Sequence, residues 1–169
     1  MTRDERCALI LENCGQPERV KAHCRAVAEA SYELARKLNE KGLSLDAELC
    51  RRGGLLHDIR RTERWHSQKA MLFLLEEGLR PEALLVGAHM GEYIDTDRIA
   101  EKEVVYLADK ITCGTQRVSV AERYARSLEK FSGDEEATGA AYARREQSLK
   151  LAEYAEGILG CPLEGFENA

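Results

Sequence analysis

The sequence predicts an all-α fold, a compact bundle of about seven or eight helices. Three observations carry this. Apolar residues recur at helical spacing along nearly every segment, while period-two alternation is scarce and no hairpin dipeptide separates β-branched runs. The three prolines, Pro17, Pro81 and Pro162, each fall where a helix is expected to begin or end.

Pro17, after Cys14-Gly15-Gln16, opens the long second helix, which runs to about Leu38 with Val20, Val27, Ala28, Leu34, Ala35 and Leu38 as its apolar stripe. Lys41-Gly42 closes it. Asp46 is placed to cap a shorter helix that ends near His57. The next helix spans Ser67 to Glu77, with Met71, Leu74 and Leu75 expected inward and Gly78 as its stop. Pro81 starts another, reaching Ala88-His89. Helices follow from Glu101 to about Thr112 and from Val118 to Phe131. The last runs from near Asp134 to Leu159, with Ser132 and Glu135 in capping-box spacing and Gly160 and Pro162 as the stop.

No repeat, low-complexity tract or linker interrupts the chain. A single domain over 1–169 is expected, with a motif-bearing core at about 20–123 and a C-terminal helical extension at about 132–160. At 169 residues the chain is long enough to bury a core without disulfide support. Its 44% hydrophobic and 33% charged residues fit a globular protein and argue against disorder. The net charge of -5 argues against a broad polynucleotide-binding surface, which would be basic. It leaves room for a small anionic substrate, because a bound divalent metal inverts the local field.

The six cysteines form no C-x-x-C pair, so reduced thiols in the cytoplasm are expected, most of them as small core residues. Cys24 adjoins His23 but is a poor candidate for a metal-shell role. No apolar run approaches the roughly 18 residues of a membrane span.

All four histidines fall in one ordered series with two aspartates: His23, His57-Asp58, His66, His89 and Asp109. Neighbours on a helix diverge by about 100°, so His57 and Asp58 can share an ion only if it sits between their directions, which a helix end allows. The apolar Leu55-Leu56 before the pair and the polar Ile59-Arg60-Arg61-Thr62 after it supply that end. Asp109 follows the apolar run Val104-Val105-Tyr106-Leu107-Ala108, where a carboxylate is costly to bury unless paired or metal-bound.

This order, H…HD…H…H…D, with Gly54-Leu55-Leu56-His57-Asp58-Ile59 around the pair and Ala108-Asp109-Lys110-Ile111 around the last aspartate, resembles the HD superfamily of metal-dependent phosphohydrolases. The resemblance runs over roughly Val20 to Arg123. It is closest to the branch of symmetrical diadenosine-tetraphosphate hydrolases and to HD domains associated with molybdenum-cofactor nucleotidyltransferases. It implies that His23, His57, Asp58 and Asp109 hold a first metal, and that His66 and His89 complete a second position with Asp58 bridging. One or two divalent transition-metal ions (Fe, Mn, Co, Ni or Zn) would suit this mixed donor set. Two such ions would clamp a phosphate and supply a metal-bound hydroxide for in-line attack.

Many relatives carry a lysine three residues after the HD aspartate, where this chain has Arg61. Arginine grips phosphate bidentately but is a poor proton donor. Asp58 and Arg61 are therefore the expected catalytic residues, and Arg61, Arg64 and Lys110 the expected substrate contacts. Lys110, next to Asp109, is expected to face away from it on the helix. Arg51 and Arg52 read as a solvated basic edge, and Glu92 and Asp95 as an exposed acidic loop.

The implied function is hydrolysis of a small nucleotide or related phosphate ester, with dinucleoside polyphosphates among the candidates. Two alternatives stay open. One is a metal- or nucleotide-binding sensory module without turnover. The other is a helical interaction module whose last helix docks a partner or a second copy, forming a homodimer.

Overall fold

The computed structural model describes residues 1–130 and 133–168, and eight α-helices account for most of it. They are α1 (Arg3–Asn13), α2 (Glu18–Glu40), α3 (Ala47–Leu56), α4 (His66–Glu76), α5 (Arg80–Ala88), α6 (Glu101–Lys110), α7 (Val120–Lys130) and α8 (Glu135–Leu159). A short 3-10 turn, Leu163–Asn168, follows and buries Phe166. The expected all-α bundle is therefore what forms. Phe131 and Ser132, the predicted end of α7 and cap of α8, lie outside the described residues.

Helix α2 is the spine. Its expected stripe is buried throughout and is joined by Cys24, Ala30 and Ser31. Helix α3 starts where predicted, the Asp46 carboxylate accepting from the Leu49 amide at 2.9 Å. It packs on α2 through Gly54, at a separation no larger residue allows. A Cβ added there would stand 2.9 Å from both Ala28 Cα and Val27 O, and 2.8 Å from Ser31 Oγ. Helix α6 passes through the centre, with every residue from Glu103 to Lys110 buried. One apolar core joins α2, α3, α6 and α8, with Leu34, Leu38, Tyr106, Leu107 and Leu151 fully buried. A second core lies between α1, the start of α2 and the α4–α5 pair, around Leu11, Ile59, Leu74 and Val86.

Two expectations are corrected. Leu75 does not face inward: it is 38% exposed, because the buried face of α4 follows Ser67, Ala70 and Leu74, and Leu75 lies one helical step, about 100°, from Leu74. The helix expected to reach Thr112 stops at Lys110, and the chain turns into a small antiparallel hairpin. In it β1 (Thr112–Cys113) pairs with β2 (Gln116–Arg117) around Gly114, at φ 61°. Strands of two residues are too short to show alternation, so the sequence carried no signal for them.

Arg52 is no solvated edge either. With Arg3 it grips the fully buried Glu82: Arg52 Nε donates to Oε1 at 2.7 Å, and Arg3 donates through Nε at 2.8 Å and Nη2 at 2.7 Å. These pairs fasten α1 and α3 to α5. Arg51 lies over the Tyr32 ring at 4.0 Å and pairs with Glu29 and Glu48.

Burial disfavours the charged form of Glu82, but its two arginines outweigh this and hold the carboxyl below the ordinary glutamate range. A depressed folded pKa contributes stability above the unfolded value of about 4.3, and that stability is lost as pH falls through the folded value. Glu82→Gln is thus expected to cost about 3 kcal/mol at neutral pH and to flatten the acid limb of the stability curve. Urea unfolding of both proteins between acid and neutral pH checks this.

Candidate metal centre

Five helix ends or starts bring the histidines and aspartates together. His23 is near the start of α2, His57 caps α3 with Asp58 next, His66 begins α4, His89 caps α5, and Asp109 sits in the last turn of α6. Three of these are helix C-termini, whose unpaired carbonyls carry partial negative charge and favour a cation.

The same local device orients two of the rings. The Nδ1–H of His57 donates to Gly54 O at 2.7 Å, and that of His89 to Val86 O at 2.6 Å, each three residues back in its own helix. This satisfies a terminal carbonyl and fixes the tautomer, leaving Nε2 with its lone pair outward. His23 does likewise across the fold, through Nδ1 to Gly114 O at 2.8 Å. The hairpin that the sequence concealed therefore aims the first candidate ligand.

The Nε2 atoms converge on the two carboxylates. His23 stands 3.1 Å from Asp109 Oδ1, and His57 lies 3.6 Å from the same oxygen and 3.5 Å from Asp58 Oδ2. His66 and His89 each lie 3.5 Å from Asp58 Oδ1, and their own Nε2 atoms are 3.3 Å apart. Two groups of donors, each compact enough for one ion, emerge: His23, His57 and Asp58, and Asp58, His66 and His89. Asp58 belongs to both.

A divalent metal fits this donor set. His57 Nε2 and Asp58 Oδ1 are buried and have no hydrogen-bond partner among the described residues, a costly state that an ion between them relieves. Imidazole nitrogen with carboxylate oxygen is the chemistry of Zn, Fe, Mn, Co and Ni sites.

Asp58, Asp109 and His66 rest in the protonation states that ligation needs, and His57 does not. Burial opposes ionisation of Asp58 and Asp109, yet the charge of His57 beside Asp58 and of Lys110 beside Asp109 outweighs it and keeps both carboxyls far below their usual range. Burial, then the neighbouring His89, pushes His66 down to about 4, so its ring is neutral at pH 7. For His57 burial lowers the pKa, but Asp58, Cys24 and Asp109 together raise it above the ordinary histidine value.

The His57 proton must therefore leave for the ring to ligate, and metal competes with it. Metal affinity is expected to fall as pH is lowered through neutrality, with a proton released on uptake. Calorimetric titration in buffers of different ionisation enthalpy reads this release directly.

Among the predicted phosphate contacts, Arg61 reaches Asp58 Oδ1 at 3.6 Å from a half-exposed position. Lys110 does not face away from Asp109. Its ammonium folds back onto Oδ2 at 2.6 Å and lies 4.8 Å from the Tyr106 ring centre, because its long stem curls freely where α6 ends. Arg64 is exposed and lies over Trp65 at 5.2 Å. Glu92 and Asp95 are exposed, as expected.

A cavity of about 150 Å³ opens beside the donors, lined by Arg61, Asp109, Lys110, Arg123, Tyr124 and Arg144 with Met90 and Ala141. Arg123 Nη2 stands 3.7 Å from Asp109 Oδ1. Arg123 and Arg144 escaped the sequence reading: nothing in their spacing on α7 and α8 shows that these helices fold back over the donors.

The family model for the HD domain matches residues 20–113, more than half of the chain and every donor named above. The chain belongs to the HD family. HD domains bind divalent metals and are generally metal-dependent hydrolases, which agrees with the two donor groups. The chain is also similar to an uncharacterized protein of Methanocaldococcus jannaschii, 34% identical over 134 residues, covering 69% of this chain and 79% of that one. No solved structure matches. Among the described residues, no helix is long and apolar enough to cross a membrane.

Proposed function

We propose that this HD-family protein hydrolyses a phosphoester or phosphoanhydride bond in a small nucleotide, acting in the cytoplasm where its six free thiols stay reduced. The observation that carries the reading is the pair of donor groups sharing Asp58, with His57 Nε2 and Asp58 Oδ1 buried and unsatisfied. His23, His57, Asp58 and Asp109 hold one ion, and Asp58, His66 and His89 a second. Divalent ions there supply Lewis acidity toward phosphoryl oxygen and lower the pKa of bound water.

The protein's own groups do the rest. Asp58 ties the two positions together, and the backbone carbonyls at Gly54, Val86 and Gly114 keep three imidazoles in the ligating tautomer. Arg61, in the cavity wall, steadies the negative charge that grows on the phosphoryl group. Arginine stays protonated, so the proton for the leaving oxygen comes from water rather than from Arg61. The surroundings of the site suit a small phosphorylated molecule, not a polynucleotide or membrane.

A screen of the metal-reconstituted protein against mono-, cyclic and dinucleoside polyphosphates tests the proposal, with metal content measured on the same sample. Turnover in at least one class is expected with Mn, Co, Ni, Zn or Fe. A nucleotide bound tightly yet intact with every metal would instead establish the sensory module.

A further inference from the structure

We infer that Arg123 and Arg144 hold a second phosphate group of the substrate, so that the site prefers a molecule with at least two linked phosphates over a phosphate monoester. This rests on the phosphohydrolase reading above and adds the substrate class to it.

The cavity beside the donors carries four cationic side chains, Arg61, Lys110, Arg123 and Arg144, against one carboxylate, Asp109. In a chain of net charge -5 such a grouping is no sample of the average surface. The four cations have different work. Lys110 is engaged with Asp109 at 2.6 Å, and Arg61, 3.6 Å from Asp58, is the cation set beside the reacting phosphoryl group. Arg123 Nη2 stands 3.7 Å from Asp109 Oδ1, the oxygen that also faces His23, and lines the cavity from α7. Arg144 is half-buried, and among the described residues no carboxylate pairs with its guanidinium. A partly desolvated arginine without a counter-charge is costly, and its planar fork matches a phosphate oxygen pair.

The stretch of α8 next to Arg144 is held in place in advance. One turn further along α8, Ser148 Oγ is bonded to Tyr106 Oη at 2.7 Å and Tyr124 Oη at 3.0 Å. The Tyr106 hydroxyl donates to Gln147 Oε1 at 3.1 Å, and Gln147 Nε2 donates to Gly91 O at 3.1 Å, just after His89. Tyr106 lies one turn before Asp109 on α6. The network thus locks α8 in register with the donors and sets Arg144 on the cavity wall. At about 150 Å³ the cavity is well below the roughly 300 Å³ of a pocket that encloses a whole ligand. It takes phosphates and leaves the remainder of the substrate outside. Both arginines lie beyond residue 113, where the HD match ends, so the C-terminal helices carry this preference.

The test is calorimetric titration of inorganic pyrophosphate and, separately, inorganic phosphate into protein loaded with Mn²⁺ and dialysed against the titrant buffer. Arg144→Gln and Arg123→Gln are each expected to weaken pyrophosphate binding about tenfold and phosphate binding less than about twofold. Arg144→Lys, which keeps charge but not the fork, is expected to fall between wild type and Arg144→Gln. Metal content and thermal unfolding should match wild type. Equal losses for the two anions, or pyrophosphate binding unchanged in both glutamine variants, would overturn the assignment. Because the readout is binding, it decides the matter even in a protein that turns over nothing, and so stands apart from the hydrolysis screen.

Discussion

Asp58→Ala is expected to strip metal from both positions at once and to lower any hydrolysis by more than about a thousandfold, some 4 kcal/mol of transition-state stabilisation. The reason is geometric: Asp58 is the one side chain common to both donor groups, its Oδ1 facing His66 and His89 and its Oδ2 facing His57. His66→Ala removes a donor from one group alone and is expected to retain about half the metal. Elemental analysis of the purified variants, with circular dichroism to verify the fold, separates these outcomes. Full metal occupancy in Asp58→Ala would refute the bridging role.

A structural effect that also reaches the donors is expected at Gly54. Gly54→Ala gains about 1 kcal/mol in helix propensity, yet its methyl carbon meets α2 backbone at 2.9 Å, where nothing yields cheaply. A net loss of about 2 kcal/mol follows, or about 4–8 °C in Tm for a domain of this size. Gly54→Val is expected to lose more. Metal affinity should fall as well, because Gly54 O orients His57 and the displaced α2 carries His23. Gly157→Ala is the control: it lies on α8 with nothing within 4 Å of the added carbon, and is expected to be neutral or stabilising. Thermal unfolding of the two alanine variants should give shifts of opposite sign, and equal shifts would count against the packing argument.

Much of the fold was legible because the helical stripes are strong. Val20 to Leu38 on α2 and the Asp46 cap of α3 formed as read. Leu75 was misplaced because Leu74 and Leu75 are adjacent, and their order alone does not say which of the two stays wet. The donor series was legible for a different reason: no other histidines exist to confuse it, and the HD pair sits at the helix end that its local sequence required.

Lys110 and the hairpin were illegible because both depend on what happens after a helix stops. A lysine on a continuing helix points away from its neighbour; at the terminus the freed stem curls back to Asp109. The hairpin is two residues a side, yet it presents the Gly114 carbonyl that holds His23.

By itself, then, the sequence determined the helical class, the order of the candidate metal donors and the HD family, because these reside in local periodicity and in rare residue types. The tertiary structure alone decided that Arg123 stands beside Asp109, and that Arg144 lines the cavity next to it. Both depend on how α6, α7 and α8 cross, and crossing is set by side-chain packing between segments far apart in the chain, which no local pattern records.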